Sequence, residues 1–113
     1  MQEKLSRNTS PVTVYIDPDQ RSDQLVAEPE VLVLSLGERN EARWTSERGT
    51  IEIRFDPARC PFRISRFQAP AGWTCLSGVP KSESAGKEYK YLVLLTTDKQ
   101  VYVREGLRVQ IRD

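Results

Sequence analysis

Short runs of strict apolar–polar alternation, separated by turn residues, constrain this chain more than any other feature. In "VTVYID", Val12, Val14 and Ile16 alternate with Thr13 and Tyr15. In "TIEIRF", Ile51, Ile53 and Phe55 alternate with Glu52 and Arg54, and near the end Leu107, Val109 and Ile111 alternate with Arg108, Gln110 and Arg112. A period of two is that of a strand with one buried face. No segment keeps a period of 3.6 residues over three turns. Turn chemistry fills the gaps, in "DPDQRSDQ" (17–24), at Gly37 and Asn40, in "SERG" (46–49) and at Asp98–Lys99. The pattern predicts an all-β chain, an antiparallel Greek-key β-sandwich of seven or eight strands.

Within that frame, Ala42 and Trp44 predict a strand that a tight "SERG" turn joins to 50–55 as a hairpin. "VLVLSL" (31–36) is apolar on both faces and reads as a central strand. "EYKYLVLLTT" (88–97) reads as the longest strand, with Val101 and Val103 as a short edge piece after it. The expected core is Val14, Ile16, Val31, Val33, Trp44, Ile51, Ile53, Phe55, Phe62, Tyr89, Tyr91, Val93, Val109 and Ile111.

A chain of 113 residues suits one domain, assigned to 11–113 behind a flexible leader at 1–10. Apolar residues make up 38%, enough for the thin core of two stacked sheets. With 17 basic and 16 acidic residues, there is no electrostatic case for nucleic acid or an anionic membrane. No run approaches the roughly 18 apolar residues of a membrane span. The opening "MQEKLSRNTS" has no apolar core of a secretory signal. With Met1 as the native start the expected location is cytoplasmic; a fragment of a longer precursor would read the same way.

Cys60 and Cys75 are too few for a disulfide framework, and no histidine exists to complete a zinc site. They read as two unrelated buried thiols or as a disulfide closing a 15-residue loop, worth roughly 3 kcal/mol by chain entropy. A thiol-dependent redox role lacks a base. The cysteines flank the middle of a long irregular stretch, 56–85, which holds four of the seven prolines and the anchors Phe62, Ile64, Phe67, Trp73 and Leu76. It predicts one short strand near 62–67 and a packed crossing between sheets.

Trp73, in "PAGWTC", is a candidate ligand-stacking residue or an anchor for its loop; Trp44 occupies an inward strand position. Arg43, Arg54, Arg63 and Arg66 form a candidate docking patch for an acidic partner or a phosphate, with Arg43 and Arg54 sharing one hairpin surface. Glu38, Glu41, Glu47, Glu52 and Asp56 are interleaved, so the same residues also describe a neutral solvated face. Glu52, Glu83, Glu88 and Asp98 form no recognisable pair for acid–base work. No phosphate loop or nucleophile elbow is present.

"AEPEVLVLSLGERNEARWTSERGTIEIRF", then "CPF", "SGVP" and "GKEYKYLVLL", and finally "LRVQI" follow one another in an order that resembles cupredoxin-like domains over roughly residues 26–112. The resemblance implies a β-sandwich. It departs from copper-binding members at every ligand: Val93 is the nearest match to the ligand cysteine, histidine is absent, and Met1 is the lone methionine. Type 1 copper needs two imidazoles and a thiolate, so neither a copper cofactor nor electron transfer is implied. The expectation is a metal-free, non-catalytic module that binds a protein partner or a second copy of itself. The alternative is a carbohydrate or small-ligand module built on loop aromatics.

Overall fold

The structure, a computed structural model, describes residues 9–113. They form nine strands: β1 (Ser10–Pro18), β2 (Leu25–Glu28), β3 (Val31–Ser35), β4 (Asn40–Thr45), β5 (Thr50–Phe55), β6 (Arg66–Ala69), β7 (Thr74–Leu76), β8 (Glu88–Thr96) and β9 (Val101–Arg112). A single 3-10 turn, Ser82–Ser84, interrupts the last long connection. The strands lie in two sheets, a four-stranded one in the order β2-β1-β4-β7 and a five-stranded one in the order β3-β9-β8-β5-β6.

The all-β, two-sheet expectation holds, and its finer form is corrected. Among the described residues there are nine strands rather than seven or eight, and the sheets are mixed rather than antiparallel. β1 runs parallel to β4, with Val14 opposite Trp44. β3 runs parallel to β9, with Val31 opposite Arg108. The predicted hairpin of Trp44 and Ile51–Phe55 is not formed, because β4 and β5 belong to different sheets. Its pattern is degenerate: alternation turns Trp44 and Ile53 toward a core whether their strands pair side by side or face each other across it. Gly49 makes the crossing. A Cβ there would sit 2.2 Å from the carbonyl oxygen of Thr96, so only glycine lets the chain pass this close to β8.

Two-faced strands account for the other differences. β3 is an edge strand, and it buries Leu32 and Leu34 rather than Val31 and Val33. Tyr89 is half-buried, packed against the core from its margin. The longest strand is β9, not β8, and it is one continuous element that pairs with β8 along its length. An irregularity between Tyr91 and Val93 lies opposite Gly106, whose φ is +79°. Residues 1–8 of the leader expected at 1–10 lie outside the described residues, and Ser10 already belongs to β1.

The core fills the space between the sheets. At its centre, Trp44 is fully buried and touches the rings of Phe55, Phe62, Phe67 and Tyr91 at centroid distances of 6.3, 6.2, 5.4 and 5.7 Å. Its indole N–H donates to the Tyr91 hydroxyl at 3.2 Å, which removes the cost of burying either polar group alone. Phe55 stacks on Tyr91 at 5.0 Å. Val93, the residue nearest the ligand-cysteine position of the resemblance, is likewise fully buried.

Candidate functional site

The turn before β7 is built from "PAGW". The Trp73 amide donates to the Pro70 carbonyl at 3.0 Å, and Gly72 takes a φ of +79°. This is a type II turn, which places glycine at its third position. Two further bonds hold it to the end of β4: the Gly72 amide donates to the Ser46 carbonyl at 2.8 Å, and the Thr45 hydroxyl donates to the Trp73 carbonyl at 3.0 Å. The backbone of Trp73 is thus pinned, while its side chain stands 69% exposed.

Trp73 immediately precedes β7, an edge strand of the four-stranded sheet. Register places Thr74, Thr45, Tyr15 and Glu28 in one row, with Leu76, Arg43 and Thr13 beside it. Tyr15, Val26 and Leu76 are exposed there. Arg43 lies across its neighbour, its Nε donating to the Thr13 hydroxyl at 2.9 Å. Hydroxyls and apolar groups dominate this surface.

The outer face of the five-stranded sheet differs. Glu52 accepts from Arg54 Nε at 2.9 Å and from Arg66 Nη2 at 2.5 Å. These bonds, Arg54 first, hold the Glu52 carboxyl below its usual range and raise Arg54. Glu88 accepts from the Gln110 amide at 2.9 Å and lies 3.6 Å from Arg108.

The predicted arginine patch is therefore divided. Arg43 and Arg54 do not share a surface, because they project from the outer faces of opposite sheets. Arg54 and Arg66 stand together on Glu52. Arg63 is exposed in the loop between β5 and β6. Arg43 pairs in register with Leu76 at the other end of β7 from Trp73, and Arg66 begins β6, which precedes Trp73 along the chain.

The loop 56–65 is closely stitched. The Asp56 carboxylate accepts from the Ala58 amide at 2.9 Å, and the Asp56 carbonyl accepts from the Arg59 amide at 2.8 Å. Cys60 Sγ accepts from the Phe62 amide at 3.4 Å and donates to the Ile64 carbonyl at 3.3 Å. The Lys81 amide donates to the Pro61 carbonyl at 2.8 Å. Cys60 and Cys75 are both buried free thiols. Burial raises Cys60 and pushes Cys75, opposite Trp44 on β7, up to about 11. At neutral pH both are protonated, the unreactive form.

Of the four carboxylates singled out above, Glu52 and Glu88 are engaged on the sheet face, and Asp98 lies in the turn at the far end of β8 from Glu88. Glu83 sits in the 3-10 turn. Among the described residues, no three His, Cys, Asp or Glu side chains gather as a metal site requires, and no helix is long and apolar enough to cross a membrane.

Sequence reasoning passed over Tyr15, Lys81 and the environment of Glu41. Glu41 is only 1% exposed, although it occupies an outward position of β4. Its carboxylate accepts from the Gly78 amide at 3.0 Å and the Thr9 hydroxyl at 2.6 Å. Alternation marks that position as a surface one, and no local signal announces the segments that cover it. No protein-family model matches the chain, and no curated protein does so either.

Proposed function

We propose that this chain is a non-catalytic interaction module that docks a protein partner on the outer face of the four-stranded sheet, around Trp73, Tyr15 and Leu76. The observation that carries it is the 69% exposure of Trp73 on a backbone fixed by three hydrogen bonds. A large aromatic on a rigid base contributes much contact area at little cost in conformational entropy, which is why tryptophan and tyrosine recur at interface hot spots. Support for a metal-free sandwich similar to the cupredoxin-like domains comes from the two-sheet arrangement and from Val93 as a core residue. The free thiols favour a reducing compartment such as the cytoplasm.

Affinity capture with the intact chain, W73A, Y15A and R54Q tests the docking surface, followed by binding of the captured protein after purification. Purified partner bound by the intact chain and R54Q, and lost by W73A and Y15A, is the expected result. Equal binding by all four would remove the proposed surface.

A second reading is favoured by the Thr13, Thr45 and Thr74 hydroxyls beside Tyr15 and Trp73. Stacking on an aromatic face with hydroxyls alongside suits a carbohydrate. It requires quenching or a spectral shift of Trp73 fluorescence by an oligosaccharide, absent in W73F. Self-association is the remaining arrangement, and sedimentation over a wide concentration range distinguishes it.

A further inference from the structure

A depression opens at the end of the sandwich between the 56–65 loop and Lys81. It is lined by Pro57, Cys60, Phe62, Arg63, Ile64, Ser65, Arg66 and Lys81. Three of these side chains are cationic and none is a carboxylate. Over the whole sequence charges nearly balance, with 17 basic against 16 acidic residues. Arg63 and Lys81 make no ion pair among the described residues. Arg66 does, but its Glu52 carboxylate is shared with Arg54, so one negative charge faces two guanidinium groups. The positive excess is concentrated in one concavity.

The floor is pre-organised. The Cys60 thiol ties the Phe62 amide to the Ile64 carbonyl, the Lys81 amide is fixed on the Pro61 carbonyl, and the Phe55 amide is fixed on the Ser65 carbonyl at 2.8 Å. These bonds set the backbones of the lining cations before any ligand arrives. Guanidinium forks and an ammonium group suit a compact, multiply charged oxyanion, because each supplies several charge-assisted donors. We propose that this depression is an anion-binding site for a phosphate group, held by Arg63 and Lys81 with Arg66 and the Ser65 hydroxyl alongside. It lies apart from the Trp73 surface and stands whether or not that surface docks a partner. The phosphate is either a free anion or a group on a phosphorylated peptide.

The test is an amide chemical-shift titration of the intact chain with inorganic phosphate at low ionic strength, with sodium chloride matched for ionic strength as the control. Parallel arms use a phosphoserine peptide and its unphosphorylated form. Shifts from inorganic phosphate confined to residues near 57–66 and 79–81 are expected. They should weaken at least tenfold in the R63Q/K81Q variant and stay unchanged in K99Q, whose lysine lies in the turn after β8. Tighter binding of the phosphopeptide than of free phosphate would assign the phosphate to a modified partner, and equal binding to a free anion. Shifts scattered over all basic residues, shifts reproduced by chloride, or an R63Q/K81Q response equal to that of the intact chain would overturn the site.

Discussion

Both tryptophans border β7: Trp44 pairs with it from β4, and Trp73 immediately precedes it. Trp44 pairs in register with Cys75 of β7 and is enclosed by four aromatic rings, with its N–H satisfied by Tyr91. Trp73 stands at the start of that strand, and its side chain is mostly in solvent. In the first region the backbone and the side chain are both committed to the fold. In the second only the backbone is committed, and the indole stands mostly in solvent. Residue type says little about this division; it follows from which atoms are fixed.

The comparison is broken most forcefully from the inside. Trp44→Ala removes the centre of the aromatic cluster and leaves the Tyr91 hydroxyl without its partner. A loss of about 3–5 kcal/mol is expected for truncating a buried tryptophan, read from the midpoint of urea unfolding. A loss below 1 kcal/mol would mean that the cluster is not the keystone of the core.

Alkaline pH attacks the same region without mutation. Burial raises Tyr91 from 10.0 to about 12, so the folded state holds its proton more tightly than the unfolded chain does. The associated stability is fully present below pH 10 and is lost as pH rises toward 12. The loss is on the order of 3 kcal/mol from this group. Cys75, raised from 9.0 to about 11 by burial, adds a loss that begins near pH 9. Stability measured from pH 8 to 12 should fall in that window, and Tyr91→Phe should flatten the upper part of it.

Glu52→Gln provides a control on a surface that is neither core nor candidate docking face. Its carboxyl is held low by Arg54 and Arg66, so its contribution is present above the ordinary carboxylate range and fades as pH falls through the lowered value. An exposed network of this kind contributes up to about 1 kcal/mol, and salt should reduce it. Smallest of all is Trp73→Ala, expected to change stability by less than about 0.5 kcal/mol while removing most of the fluorescence quenched by acrylamide. If Trp73→Ala instead costs as much as a core truncation, the contrast between the two tryptophans fails.

Much of the fold was legible because alternation is a local signal. β1, β5 and β9 show their buried faces in single runs of sequence, and the inward positions that alternation gives Trp44, Ile51, Ile53 and Phe55 are the buried ones. Pairing is not local. The same run fits a hairpin or a crossing, and what distinguishes them is Gly49 against the Thr96 carbonyl, a contact between distant segments. "VLVLSL" offered two equivalent faces, so Val31 and Val33 were exchanged with Leu32 and Leu34. For the sites, Trp73 was found from its setting in a proline–glycine turn. A shared surface for Arg43 and Arg54 depends on the hairpin that does not form, whereas Arg54 and Arg66 meet on Glu52. Lys81 was missed because it joins Arg63 only through folding of the 56–65 loop.

The parallel pairing of β3 with β9 also sets an order of events. Val31 pairs with Arg108, far along the chain, whereas β1 pairs with β4, which follows much sooner. During synthesis β3 leaves the ribosome long before its neighbour is made. Until the last strand arrives, its apolar Leu32 and Leu34 have no sheet to join. Sandwiches dominated by distant contacts fold slowly and pass through species with open strand edges. Without β9, β3 has no neighbour in the five-stranded sheet, so that sheet is complete only once β9 is in place.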